Sequence, residues 1–259
     1  MSNPNDNPLC GRVALVTGAG APRIGNCVAR LLAASGYRVV LHAHRSVAAA
    51  EETAMELRRA GAEAEVVFAD LTDEQTVREM ALRARAFFGR IDALVNCAAI
   101  WSSKPLEDVT AEDVRRHFDA NALSTFLCCQ HVGLAMAAQP EGGAIVNLGD
   151  WAVARPYLNY AAYFPSKGAI PTLTRMFAVE LAHRNPRVRV NAVLPGPAML
   201  PENLPADERV AAIAGTLVKR PGSPEHVAHA VRFLLENDFV TGVCLPVDGG
   251  RTIASAGPE

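Results

Sequence analysis

The chain has 259 residues, half of them apolar and 6% aromatic, with a formal net charge of −2. That much apolar sequence builds one large α/β domain or two small ones, and a near-balanced charge gives no electrostatic reason to bind nucleic acid or an anionic membrane surface. No apolar run reaches the ~18 residues of a membrane span, and the polar stretch 1–8 lacks the basic and apolar regions of a signal peptide, so residues 1–10 read as a flexible tail.

The six cysteines, Cys10, Cys27, Cys97, Cys128, Cys129 and Cys244, form no C-x-x-C pair and have no histidine at zinc-finger spacing. They read as reduced, mostly buried small side chains, in keeping with a cytoplasmic protein. His117, His131, His183, His226 and His229 fall in helical, charged surroundings without clustered carboxylates, so no metal site is expected.

Short β-type runs alternate with longer stretches of helical period from residue 12 almost to the end, the rhythm of a parallel sheet. Strands are predicted at 13–17, 38–42, 64–68, 93–96, 144–148, 187–193 and 244–247, with the apolar centres expected when helices cover both faces. Helices are predicted at 24–35, 48–60, 74–88, 111–137, 161–183 and 224–235, with Gly36, Gly61 and Gly89 placed to end the first three. Nothing interrupts the rhythm. The prediction is one doubly wound Rossmann-type α/β domain over 1–259, with a seven-stranded parallel sheet and helices on both faces. Residues 194–220, rich in Pro and Ala, read as an irregular mobile flap over a small-molecule substrate.

After the first strand comes Thr17-Gly18-Ala19-Gly20-Ala21-Pro22-Arg23-Ile24-Gly25, and then a helix. Glycines let the backbone approach a pyrophosphate, and the free N–H groups of a helix start favour its charge; the alternative is a plain structural turn. Arg23, where a glycine is expected, places a cation among phosphates. The second strand ends in His42-Ala43-His44-Arg45-Ser46, about 20 residues on, where an NAD enzyme places an acid on the ribose 2′-hydroxyl. No acid is present. Arg45 and Ser46, with His44, offer donors to a 2′-phosphate, pointing to NADPH/NADP unless the stretch is a solvated basic loop. Asp70, after the third strand, suits either an adenine amino group or the N-cap of the next helix.

The fifth strand runs into Asp150, Tyr163 follows thirteen residues later, and Lys167 lies one helical turn further on the same side. A neighbouring ammonium lowers the pKa of a phenol and makes it a usable proton donor. Lys167 also suits the nicotinamide ribose. In isolation Tyr-x-x-x-Lys reads as a surface pair; the upstream glycine-rich turn is what argues for chemistry.

The segments Thr17-Gly18 to Gly25, Asn96-Cys97-Ala98-Ala99, Asn121, Tyr163 to Lys167, Pro195-Gly196 and Asp248-Gly249-Gly250 occur in an order and spacing that resembles the short-chain dehydrogenase/reductase superfamily, over residues 12 to about 253. The resemblance implies that Asn96 and Ala98 shape the floor under the adenosine ribose. It implies that Asn121 holds a helix kink and a water linking Lys167 to solvent, and that Pro195 and Gly196 bracket the nicotinamide carboxamide. Ile24, Leu71 and Ala198 complete the implied cofactor set, and a homotetramer built on the helices at 111–137 and 161–183 is implied as well.

One position departs from the superfamily: Asp150 stands where most members carry a serine that bonds the substrate oxygen. An ionised carboxylate only accepts hydrogen bonds and repels a developing oxyanion, so it suits a substrate with ring N–H groups or a protonated ring nitrogen. In this the chain resembles the pteridine reductases, which reduce dihydropterins and folates with NADPH. Arg23, the His-x-His-Arg-Ser stretch and Trp101 agree. In that branch the aromatic stacks on the pterin, and Arg23, Tyr163, Leu200 and Pro201 join it around the substrate; otherwise Trp101 is a lid over apolar surface. The glycine-rich turn is one residue longer than in that branch, and Ala99 replaces a polar group often found there. The sequence therefore reads as an NADPH-dependent pterin reductase. A carbonyl reductase of the 3-oxoacyl or sugar type, with Asp150 protonated or uninvolved, is the second enzyme reading; a catalytically idle NADPH-binding regulator is the alternative from another class.

Overall fold

The computed structural model describes residues 10–200 and 204–254. Pro201, and all of the tail expected at 1–10 except Cys10, lie outside them. The first half runs β1 (Val13–Thr17), α1 (Ile24–Ala34), β2 (Arg38–Ala43), α2 (Val47–Arg59), β3 (Ala64–Phe68), α3 (Glu74–Phe88) and β4 (Ala93–Asn96). The second runs α4 (Ala111–His117), α5 (Ser124–Ala137), β5 (Gly143–Leu148), α6 (Tyr163–Arg184), β6 (Val188–Pro195), α7 (Ala206–Ala214), α8 (Pro224–Glu236) and β7 (Cys244–Val247).

Alternation along β1 shows why the layers form. Ala14 and Val16 join the core that α1, α2 and α8 cover, whereas Val13 and Leu15 join the core under α3, α5 and α6. Every residue of β1 is buried, which an apolar strand achieves only with helices on both faces. The strands pair in parallel in the order β3-β2-β1-β4-β5-β6-β7. Chain direction through the sheet reverses between β1 and β4, so a crevice opens at the carboxyl ends of those two strands, beside the glycine-rich turn and Asn96.

Two expectations are corrected. The helix expected over 111–137 is three pieces, because a π-helical turn, Phe118–Leu123, separates α4 from α5. An inserted turn of this kind re-aims side chains, and here it carries Asn121. The flap at 194–220 is also more regular than predicted: β6 continues to Pro195 and α7 forms, led by Pro205 with Asp207 and Glu208 in its first turn. Proline before a helix and acids against its positive end both favour that start. No helix among the described residues is long and apolar enough to cross a membrane.

Candidate active site

The crevice begins at a backbone turn. Gly18 has φ +65°, and a Cβ there would come within 2.8 Å of the Ala98 Cα; a Cβ on Gly25 would come within 2.7 Å of the Gly18 carbonyl oxygen. The turn thus lies flat against the Asn96-Cys97-Ala98 segment, and Thr17 fixes it there, its hydroxyl accepting from the N–H groups of Cys97 (3.0 Å) and Ala98 (3.2 Å). Helix α1 starts at Ile24 with no side chain capping it, which leaves its first N–H groups to an anion. Arg23 is the exposed N-cap residue and is not among the side chains lining the cavity described below.

His42 holds the same turn from beneath. Its Nδ1 accepts from the Gly18 N–H at 3.2 Å, so Nε2 carries the proton and donates to the Ala69 carbonyl at 3.1 Å. Burial pushes this imidazole down to about 4 and keeps it neutral. One residue beyond β2, exposed His44 lies 3.8 Å from Asp70. Arg45 is exposed, and Ser46 precedes α2 without its hydroxyl capping the helix. Asp70 is not the cap of α3. That cap is Asp73, which accepts from the Thr76 N–H at 2.8 Å, while Asp70 accepts from the backbone and hydroxyl of Thr72, bonds that hold its carboxyl below the usual range. Leu71 is buried beside it.

At the end of β5, Asp150 leads a short 3₁₀ turn, Trp151–Val153, its Oδ1 accepting from the Ala152 N–H at 2.8 Å. Its Oδ2 accepts from the Tyr163 hydroxyl at 2.7 Å. The Lys167 ammonium donates to the Leu148 carbonyl at 2.7 Å, and burial lowers it to about 8, against the upward pull of Asp150. The expectation that Lys167 depresses the Tyr163 phenol is overturned. Burial raises that phenol, the Asp150 charge and hydrogen bond raise it further, and Tyr163 holds its proton. Asn121 accepts from the Ile100 N–H at 2.8 Å and donates to the Ile100 carbonyl at 3.1 Å and the Ser166 hydroxyl at 2.9 Å. It thereby ties the loop carrying Trp101 to the turn of α6 just before Lys167.

A cavity of about 630 Å³ opens over Asp150, Tyr163 and Lys167, and Ile24, Trp101, Pro195, Gly196 and Leu200 also line it. Gly196 is required by its neighbour, since a Cβ there would sit 2.5 Å from the Asp248 Cα. Ala198 is buried behind this wall. Trp101 is half-exposed and stacks on Tyr160, with ring centroids 5.0 Å apart and planes 15° apart. One indole face is thus taken by Tyr160, and the stacking expected of Trp101 falls to the other face.

Sequence reasoning missed several contributors. Tyr160 and Tyr157 pack edge to face at 5.1 Å and both line the cavity; an aromatic cluster just before the Tyr163 motif was their only signal. His117 is buried with its ring edge-on to Tyr163 at 6.4 Å, its two nitrogens engaged by the Asp113 carbonyl and the Ser102 hydroxyl. Thr17, His42 and Ser166 act by positioning the backbone or Asn121, and no spacing rule marks such residues.

Comparison with known proteins bears on the family and the fold. A family model described as enoyl-(acyl carrier protein) reductase matches residues 18–252. The chain is 40% identical over 247 residues to a cis-4-hydroxycyclohexanecarboxylate dehydrogenase of Sinomonas cyclohexanicum, covering 93% of this chain and 96% of that one. It is 35% identical over 250 residues to a 3-oxoacyl-[acyl-carrier-protein] reductase of Synechocystis, covering 95% and 98%. Among solved structures, a blue fluorescent protein from a metagenomic library, in complex with NADPH, superposes with a TM-score of 0.84 at 33% identity, covering 94% and 98%. A putative gluconate dehydrogenase from Agrobacterium tumefaciens reaches 0.88 at 30% identity, covering 95% and 98%. Sequence and superposition agree over nearly the whole chain, and it belongs to the short-chain dehydrogenase/reductase superfamily of nicotinamide-dependent oxidoreductases.

Proposed function

We propose that the protein is an NADPH-dependent reductase of a pterin-type substrate, a dihydropterin or dihydrofolate, with Tyr163 as proton donor. The observation that carries this reading is the 2.7 Å hydrogen bond from the Tyr163 hydroxyl to Asp150. While Asp150 is anionic, the phenol keeps its proton, and a bare ketone brings only an acceptor to a site that already holds a negative charge. A substrate that presents a ring N–H or a protonated nitrogen to Asp150 offsets that charge and lets Tyr163 release its proton.

The residues present fit a nicotinamide dinucleotide, because Gly18 and Gly25 leave no room for side chains beside an uncapped helix start. Gly18, Gly25 and Ile24, with Arg23, would hold the pyrophosphate, and Asp70 and Leu71 the adenine. Asn96, Ala98, Lys167, Pro195, Gly196 and Ala198 would line the path to the nicotinamide. Arg45 and Ser46, with His44, favour the 2′-phosphate of NADP. The bound cofactor supplies the hydride; this chain's own side chains position the ring, hold water out and manage protons at the Tyr163 hydroxyl. The half-exposed Leu134 on α5 and the exposed Val179 on α6 support a homotetramer built on those helices.

The test is steady-state NADPH oxidation with a panel of dihydropterins set against acetoacetyl thioesters. The pterins should lead by at least about tenfold in kcat/KM, given the size of a general-acid contribution; the opposite order sinks the reading. Oxidoreduction at a ring alcohol or ketone is the second reading, favoured by the 40% identity to a cis-4-hydroxycyclohexanecarboxylate dehydrogenase. It needs Asp150 either protonated or uninvolved in the reaction.

A further inference from the structure

Among the described residues, the cavity wall holds a cation that no protein carboxylate pairs with directly. Arg251, directly after the Asp248-Gly249-Gly250 turn, lines the cavity and lies over the ring of Trp151, its guanidinium carbon 4.6 Å from the centroid. Trp151 is the residue next to Asp150. Arg251 is partly buried, and among the described residues no carboxylate lies within ion-pair distance of it. Its one described side-chain hydrogen bond is from NH1 to the Ala212 carbonyl of α7, which leaves the Nε and NH2 donors of the fork available.

The neighbouring charges do not remove this imbalance. Exposed Arg155 donates from NH1 to the Arg251 carbonyl at 3.2 Å and to the Ala254 carbonyl, so a second guanidinium stands beside the first. The Asp248 charge acts on Arg251 through space, but its carboxylate oxygens bond Gly250 and Thr252 and form no ion pair with the guanidinium. Glu208 also lines the cavity and raises the Tyr160 phenol, and it forms no ion pair with Arg251. A planar fork held against an indole, with donors to spare and no carboxylate of its own, is suited to bidentate recognition of an anionic group.

We propose that Arg251, with Arg155 beside it, is a subsite for a carboxylate on the substrate, so that the molecule reduced is a ring bearing an acidic tail: the ring faces Asp150 and Tyr163 and the tail faces Arg251. This rests on the reading of Asp150 and Tyr163 as the reaction end of the cavity. Arg251 is a binding residue here; its contact with Ala212 also ties α7 to the wall, and the test separates the two roles.

The test uses two matched pairs with the full-length protein: dihydropteroate against its carboxamide, and 4-oxocyclohexanecarboxylate against its carboxamide. Each acid should exceed its amide by about tenfold or more in kcat/KM, expressed in KM, the scale of a charge-assisted hydrogen bond. Arg251→Gln should erase that preference by weakening the acid alone, and Arg251→Lys should keep part of it. Equal use of acid and amide by the unmodified protein overturns the subsite, as does an equal loss for both in Arg251→Gln, which is the signature of a purely structural tie to α7. Turnover of the pterin pair without acid preference leaves the pterin reading standing and removes the subsite. Turnover of the cyclohexanone pair alone removes the pterin reading, while the acid-to-amide ratio still decides the subsite. Calorimetric titration of both pairs into NADPH-saturated protein gives a readout independent of turnover, and failure of the acid to bind more tightly than its amide in whichever pair binds overturns the proposal.

Discussion

The Tyr163 hydroxyl donates to the Asp150 carboxylate across 2.7 Å, and the other Asp150 oxygen is fixed by the Ala152 N–H at 2.8 Å. Neither group is free to reorient without breaking a bond. The carboxylate thus serves as an anchor whose charge state governs the neighbouring acid: burial raises the phenol first, and Asp150 raises it further. Lys167, bonded to the Leu148 carbonyl, stands one turn away as a buried amine near neutrality, lowered to about 8.

Removing the phenol alone should remove turnover and leave the cofactor site intact. Tyr163→Phe is expected to lower kcat by about 10² to 10⁴-fold, the usual contribution of a positioned acid, with NADPH affinity unchanged by fluorescence titration. A variant keeping more than half the wild-type rate would rule Tyr163 out as the acid.

Asp150 and Trp101 should separate in their kinetic effects. Asp150→Asn keeps the shape but supplies no negative partner for a protonating ring nitrogen, so kcat on the pterin should drop steeply. Trp101→Ala should instead raise KM, by an amount equivalent to about 1 to 3 kcal/mol if its open face stacks on the substrate as aromatic side chains do on bases. That variant also takes a stacking partner from Tyr160, so its KM should be compared with that of Tyr160→Ala. If Trp101→Ala leaves KM unmoved, the substrate does not rest on the indole.

Coenzyme choice should follow the charge at the end of β2. Arg45 and Ser46 offer charge-assisted donors, each contributing on the order of 1.5 to 3 kcal/mol toward a 2′-phosphate. NADPH should therefore be preferred over NADH, and Arg45→Asp should reverse or erase the preference in kcat/KM. Equal kcat/KM for the two coenzymes in the unmodified protein would show that the loop does not reach the phosphate.

His42 should make stability fall in mild acid. Its folded-state pKa is lowered from 6.5 to about 4 by burial, so between those values the unfolded chain binds a proton that the folded chain refuses. Stability from this group is therefore full above pH 6.5 and lost as pH falls toward 4, by on the order of 3 kcal/mol in total. His42→Asn should be less stable near neutrality, because the bonds to Gly18 and Ala69 go, yet lack this acid-dependent term. Urea denaturation at pH 7 and pH 4 checks it: the gap between wild type and variant should narrow in acid, and a constant gap would show that His42 is not the titrating group.

Much of the scaffold was legible because it rests on local chemistry. Strand β1 and helix α3 occur where alternation and helical period put them, and Gly89 closes α3 with a φ of +79° as its lack of a side chain allows. The glycine-rich turn and the placing of Tyr163 and Lys167 one helical turn apart were readable for the same reason, since neighbours along a helix keep their spacing whatever the rest of the fold does. Asp150 could be singled out from its place at the end of a strand, thirteen residues before Tyr163. What the sequence left open depends on groups distant in the chain. The sign of the effect on Tyr163 turned on whether its hydroxyl met the ammonium or the carboxylate. Trp101 lies 59 residues before Tyr160, and Arg251 comes 100 residues after Trp151. No periodicity registers such contacts, because they form only when separate loops converge at one edge of the sheet, where burial and proximity assign the partner and the charge each side chain feels.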